Sequence, residues 1–198
     1  MPEAAWGLLG VVVGALLQPI VEWIKHIRTR SREKHYLAAR VSIVLDRFIE
    51  GCKSGISFAE MRDAPSYISV DFSSLDVNWH RIDGDLLFKV LDFPNGVEQT
   101  NLDIKEEADL VGSHHYPHIT ELYIFKYSQL ALAAIALSEA IRKEGSLPTK
   151  DRSKEKEWME RVISEYFAKQ KELQQKQLQQ IARTKQPSKT IDDGDGTE

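Results

Sequence analysis

Within Ser113-His114-His115-Tyr116-Pro117-His118, three imidazoles fall inside five residues, the densest set of potential metal ligands in the chain. Neutral imidazole binds zinc well, and an acidic neighbour could supply a fourth ligand. Against that chemistry, Pro117 constrains the backbone and the only cysteine is remote. The HExxH spacing, which puts two histidines on one helix face, does not occur. The plainer reading is a solvated linker ahead of a helix, so no metal ligand is assigned.

The run from Asp76 to Asp85 carries carboxylate and amide oxygens at short spacing and invites comparison with a calcium loop. A calcium loop of the EF-hand type started at Asp76 needs Gly at its sixth place and Glu at its twelfth. Those places hold Arg81 and Leu87, so the match fails. Cys52, the single cysteine, cannot form an internal disulfide and suits a reducing cytoplasm. It lies on an apolar stripe, where a small core residue is expected rather than a reactive thiol. Phosphate-cradling glycine loops, nucleophile elbows and CxxC pairs are absent from the sequence. Carboxylates are plentiful, but no spacing singles out an acid–base pair. No catalytic, cofactor-binding or metal residue is therefore assigned.

The elements that would position any chemistry begin with the apolar run Ala4 to Ile24, followed at once by Lys25, Arg28, Arg30, Arg32 and Lys34. About 20 helical residues span roughly 30 Å, the thickness of a bilayer's hydrocarbon core. A cleaved signal peptide fits poorly, because positive charge does not precede the run. A buried core helix is the second alternative, and Glu22 counts in its favour. A single spanning helix explains more: Trp6 and Trp23 lie near the two ends, and the early basic residues all follow the run. The Lys/Arg bias puts the short N-terminus outside and the bulk of the chain in the cytoplasm, as a signal anchor in the plasma (inner) membrane. Lys25 to Lys34 holds five basic residues and one Glu, a collar of +4 that attracts anionic headgroups. Gly10 and Gly14 match the small-xxx-small pattern for close helix approach in lipid, a route to self-association. Pro19 is expected to kink the helix.

The 198 residues leave one compact domain and a tail beyond this anchor. The net charge of −4 is segregated, with twelve Asp/Glu against four Lys/Arg from Glu60 to Asp109. Such an acidic half argues against nucleic acid as the general partner. Tyr36 to Cys52 has a clear helical period in Leu37, Val41, Val44, Leu45, Phe48, Ile49 and Cys52, with Gly51, Ser54 and Gly55 bracketing its end. With neither Gly nor Pro between Ile20 and Glu50, the anchor can run into this helix almost without interruption. Ile68, Val70 and Phe72 alternate with polar residues, suggesting an ordered loop or lone strand. Asp85 is a plausible N-cap of a short helix over Leu86 to Leu91, Phe93 to Gly96 reads as a turn, and an acidic helix follows to Gly112.

Ile119 to Lys143 reads as the main buried helix; Glu121, Lys126 and Gln129 interrupt it too often for a second span. Ser153 to Ala182 reads as a last helix, docked in its first half and projecting in its second, because a heptad seam from Met159 fails at Lys176 and Gln180.

The expected organisation is mainly α: a transmembrane anchor over 1–24, a basic juxtamembrane collar over 25–35, a helical cytoplasmic domain over 36–150, a C-terminal amphipathic helix over 151–183 and a disordered acidic tail over 184–198. The layout resembles small bacterial inner-membrane proteins with one N-terminal helix, although no diagnostic motif carries the likeness. The expected function is non-enzymatic, the recruitment or scaffolding of a cytoplasmic protein partner at the membrane. The rival is a membrane-tethered hydrolase or metal-dependent enzyme using His114, His115 and His118.

Overall fold

A computed structural model of the chain describes residues 2–61, 66–111 and 116–184; for residues 2–16, 111, 116 and 182–184 the description is of the backbone alone. Four α-helices make up most of it, and no strand occurs among the described residues. The first, α1 (Pro2–Glu60), is a single helix of 59 residues that passes through Pro19. At 1.5 Å per residue it is roughly 90 Å long. The expected end at Gly51 to Gly55 is not where it stops. Its apolar stripe continues as Cys52, Ile56 and Ala59, all buried, so packing carries the helix past its glycines. Gly55 serves close approach instead: a Cβ there would stand 2.5 Å from the Tyr123 hydroxyl.

Helix α2 (Gly84–Val111) likewise runs straight through the expected turn at Phe93 to Gly96, with Pro94 inside it. Val90, Val97 and Ile104 are buried and Phe93 is packed against the core, a stripe at helical spacing that spans the proline. Burial along that stripe outweighs the one backbone bond that Pro94 cannot make. The cap is Asp83 rather than Asp85. The Asp83 carboxylate accepts from the amides of Asp85 at 3.0 Å and Leu86 at 3.3 Å.

Helix α3 (Tyr116–Glu144) begins three residues before the expected Ile119, with Pro117 in its first turn, where a missing N–H costs little. It is the one helix among the described residues long and apolar enough to cross a membrane. Much of that apolarity is accounted for by the core: Tyr123, Tyr127, Ala131, Ala134, Ile135 and Ile141 are fully buried. The helix ends where Ser146, not a glycine, takes the left-handed conformation at φ 53°. Gly145 answers a different need, since a Cβ there would lie 2.1 Å from that of Ala38 on α1. Helix α4 (Ser153–Thr184) closes the described chain.

Helix α3 lies at the centre. Lys34 pairs with Glu144, Lys126 with Asp103 and Lys156 with Glu139, and Lys169 meets Glu121. These pairs set α1, α2 and α4 parallel to one another and antiparallel to α3. The base of α4 is fixed by Asp46 on α1. Its carboxylate accepts from Arg142 and from the nearly buried Arg152, each at 2.9 Å, with Lys150 at 3.5 Å. Burial raises the Asp46 carboxyl, but the bond to Arg152 and the charges of Arg152, Lys150 and Arg142 outweigh it and hold it below its usual value.

The alternating segment at Ile68 takes no regular secondary structure and joins no ladder among the described residues. Side chains satisfy its backbone: the Tyr127 hydroxyl accepts from the Ile68 amide at 2.9 Å, and the Asn101 amide donates to the Ile68 carbonyl at 3.0 Å. Tyr127 also donates to Asn101, and Tyr123 donates to the Ser66 carbonyl at 2.9 Å. Burial pushes the Tyr127 phenol up to about 12, so it stays protonated and able to donate at neutral pH.

Candidate functional site

The sequence-nominated chemistry is not gathered by the fold. His118 sits in the first turn of α3, with its ring 3.3 Å from Glu107 on α2, and both are well exposed. His114 and His115 lie outside the described residues. Among the described residues no group of three His, Cys, Asp or Glu side chains is placed to hold a metal ion. In the failed calcium loop, Asn78 and Asp83 cap the 3-10 turn Trp79–Arg81 and α2, respectively. Cys52 is fully buried, and desolvation pushes its thiol up to about 12, so it packs as a small apolar residue.

Two concave regions stand out. One, of about 210 Å³, is lined by Glu60, Glu121, Phe125, Glu165, Tyr166 and Lys169, among others. Its groups largely engage one another: Lys169 holds Glu121, and Phe125 stacks on Tyr166 at 4.2 Å. The second is a groove of about 380 Å³ between α2 and α3, lined by Leu86, Lys89, Phe93, Ala133, Ala136, Leu137 and Ala140.

The groove follows from the residue types. Ala133, Ala136 and Ala140 recur at helical spacing on the side of α3 turned away from α1 and are exposed, whereas the larger Leu137 is buried beside them. Alanine leaves room for a neighbouring backbone to come close. Leu86 and Phe93 form the opposite wall, and the exposed Lys89 lines the groove with no ion pair among the described residues. That this row of alanines is left uncovered depends on α1, α2 and α4 occupying the other sides of α3.

The domain presents a second unpartnered region at the base of α1. Leu17, Ile20, Val21, Trp23, Ile24 and Ile27 are all exposed and recur at helical spacing along one broad face. The collar cations Lys25, Arg28, Arg30 and Arg32 make no ion pair among the described residues. No family model, curated protein or solved structure matches the chain.

Proposed function

We propose that the chain is a single-pass membrane protein whose cytoplasmic helical domain acts as an adaptor, recruiting a protein partner to the bilayer surface. The observation that carries the reading is the exposed apolar stretch of α1 from Leu17 to Ile27. Contiguous apolar surface of this kind is uncommon on a soluble monomer and fits a hydrocarbon environment. The apolar residues from Ala4 extend the same helix, and the collar from Lys25 onward suits the cytoplasmic headgroup level. Gly10 and Gly14 offer a route to self-association inside the bilayer.

The partner that fits the domain is an amphipathic helix. It lays apolar side chains over Ala133, Ala136 and Ala140 and sets a carboxylate against Lys89. Deleting residues 1–34 should release the protein from membranes without detergent, while the intact chain stays in the membrane fraction. Recovery of the intact chain in the soluble fraction would contradict the anchor.

A further inference from the structure

A third concave region lies where the helical domain ends and α1 goes on towards the apolar run. It encloses about 410 Å³, within the size range of sites for small ligands. One wall is a single face of α1, Ile27, Arg30, Ser31 and Lys34, at i, i+3, i+4 and i+7. The other wall is the end of α3 and the residues after it, Glu144, Gly145 and Ser146.

The cleft follows from how α3 stops. Gly145 approaches α1 so closely that a Cβ on it would collide with Ala38, and the His35 ring donates from Nδ1 to the Gly145 carbonyl at 3.0 Å. These contacts clamp the two helices together. Because α3 runs antiparallel to α1, its last residues mark the edge of the domain nearest the apolar run. There the chain turns away through Ser146 in the left-handed conformation. One to two turns further along α1, Arg30 and Ile27 are exposed. Ile27 is also the last of the exposed apolar residues at the base of α1, so the cleft continues that surface.

Charge narrows the ligand. Of the five collar cations, Arg30 and Lys34 lie on the cleft face, whereas Lys25, Arg28 and Arg32 fall on the other side of the helix by the 3.6-residue turn. Lys34 is held by Glu144 at 2.6 Å, and Arg30 makes no ion pair among the described residues. Two cations and one carboxylate leave the lining at +1, a match for a group with one negative charge. A helix C-terminus ordinarily disfavours an anion. Here several of its carbonyls are occupied: the Arg142 carbonyl accepts from the Leu147 amide at 2.8 Å, that of Lys143 from the Ser146 amide at 3.2 Å, and that of Gly145 from His35.

We propose that this cleft holds the phosphodiester group of a membrane phospholipid, one per chain. The Arg30 guanidinium takes the phosphate oxygens, the hydroxyls of Ser31 and Ser146 donate beside it, and Ile27 lies against the start of the lipid's chains. The height of the site rests on the anchored reading. Arg30 is six residues past Ile24, or about 9 Å along the helix. The headgroup layer is about 5–8 Å deep, and the long arginine stem closes the difference. A general attraction of the collar for the membrane would weigh its cations alike, whereas the cleft singles out Arg30.

The test uses the full-length protein in micelles of a neutral maltoside, stripped of lipid, with bound molecules counted by native mass spectrometry. Short-chain phosphatidylglycerol should bind one per chain, and the matching diacylglycerol, which lacks the phosphodiester, should not. Arg30→Gln should weaken binding about tenfold or more, while Arg28→Gln and Arg32→Gln stay within about twofold of the wild type. Glu144→Gln frees Lys34 and should tighten binding severalfold. Equal losses at all three arginines would overturn the cleft in favour of a diffuse collar, and so would an Arg30→Gln protein that binds as the wild type does. Inorganic phosphate that binds as well as the lipid would overturn the lipid source in favour of a soluble phosphate ligand. Flotation of the intact chain on phosphatidylcholine vesicles reads the anchor separately. A chain that does not float refutes the anchor, while the count in micelles still decides the cleft.

Discussion

The two halves of α1 are one continuous helix, yet they use apolar residues in opposite ways. From Leu17 to Ile27 the apolar side chains recur at helical spacing and are exposed. From Leu37 to Ala59 they form one stripe, and that stripe is buried. Both halves hold Ile, Leu and Val in quantity, so apolar content alone does not separate them. Exposure does. The upper stripe is covered by α3, whereas the lower residues are left exposed and continue a run, Ala4 to Leu17, that is apolar all round in sequence and needs an apolar solvent. The arginines obey the same division: among the described residues Arg28, Arg30 and Arg32 make no ion pair, while Arg142 and Arg152 converge on Asp46 in the buried half.

The largest expected effect comes from Asp46, which joins α1, α3 and the base of α4. Asp46→Ala leaves Arg152 buried without its main counter-charge and should cost about 3–5 kcal/mol in denaturant unfolding of the full chain. The same carboxylate sets a pH dependence. Its folded-state pKa lies below the unfolded value, so its contribution is complete above about pH 4 and is lost as the pH falls through the folded value. Asp46→Asn should flatten that acid limb of the stability curve. An unchanged limb would mean the network contributes little.

Leu45→Ala and Ile24→Ala set the two halves against each other directly. The first opens a cavity in the core and should cost about 2–5 kcal/mol. The second should change domain stability by less than about 0.5 kcal/mol. Equal losses would mean that the base of α1 is packed against protein. A smaller effect is expected at Gly145, where the added methyl of Gly145→Ala collides with Ala38. About 1–3 kcal/mol is expected, and its absence in thermal unfolding would place α3 farther from α1.

Helical periodicity was legible where the hydrophobic stripe is strong. The α1 stripe from Leu37 to Cys52, the buried character of α3 and the division of α4 near Phe167 all follow from 3.6-residue spacing. Met159 is fully buried, while Leu173, Leu178 and Ile181 are exposed, as that spacing predicts. Helix ends were less legible. Gly51, Gly55 and Pro94 are breakers by local preference, and each lies inside a helix. Local preference at such positions is worth about 1 kcal/mol for Gly and 3 for Pro. Burial of Ile56 and Ala59 beyond the glycines, and of Val97 and Ile104 beyond the proline, outweighs it.

The groove was out of reach of the sequence for a different reason. Ala133, Ala136 and Ala140 share a side of α3 by spacing, but which row stays open depends on where α2 and α4 settle around α3. The sequence by itself determined which residues share a helix face and which segment is apolar all round, because both follow from local geometry. Tertiary packing decided where helices end, which faces stay open and what stands opposite what, because those depend on contacts between residues far apart in the chain.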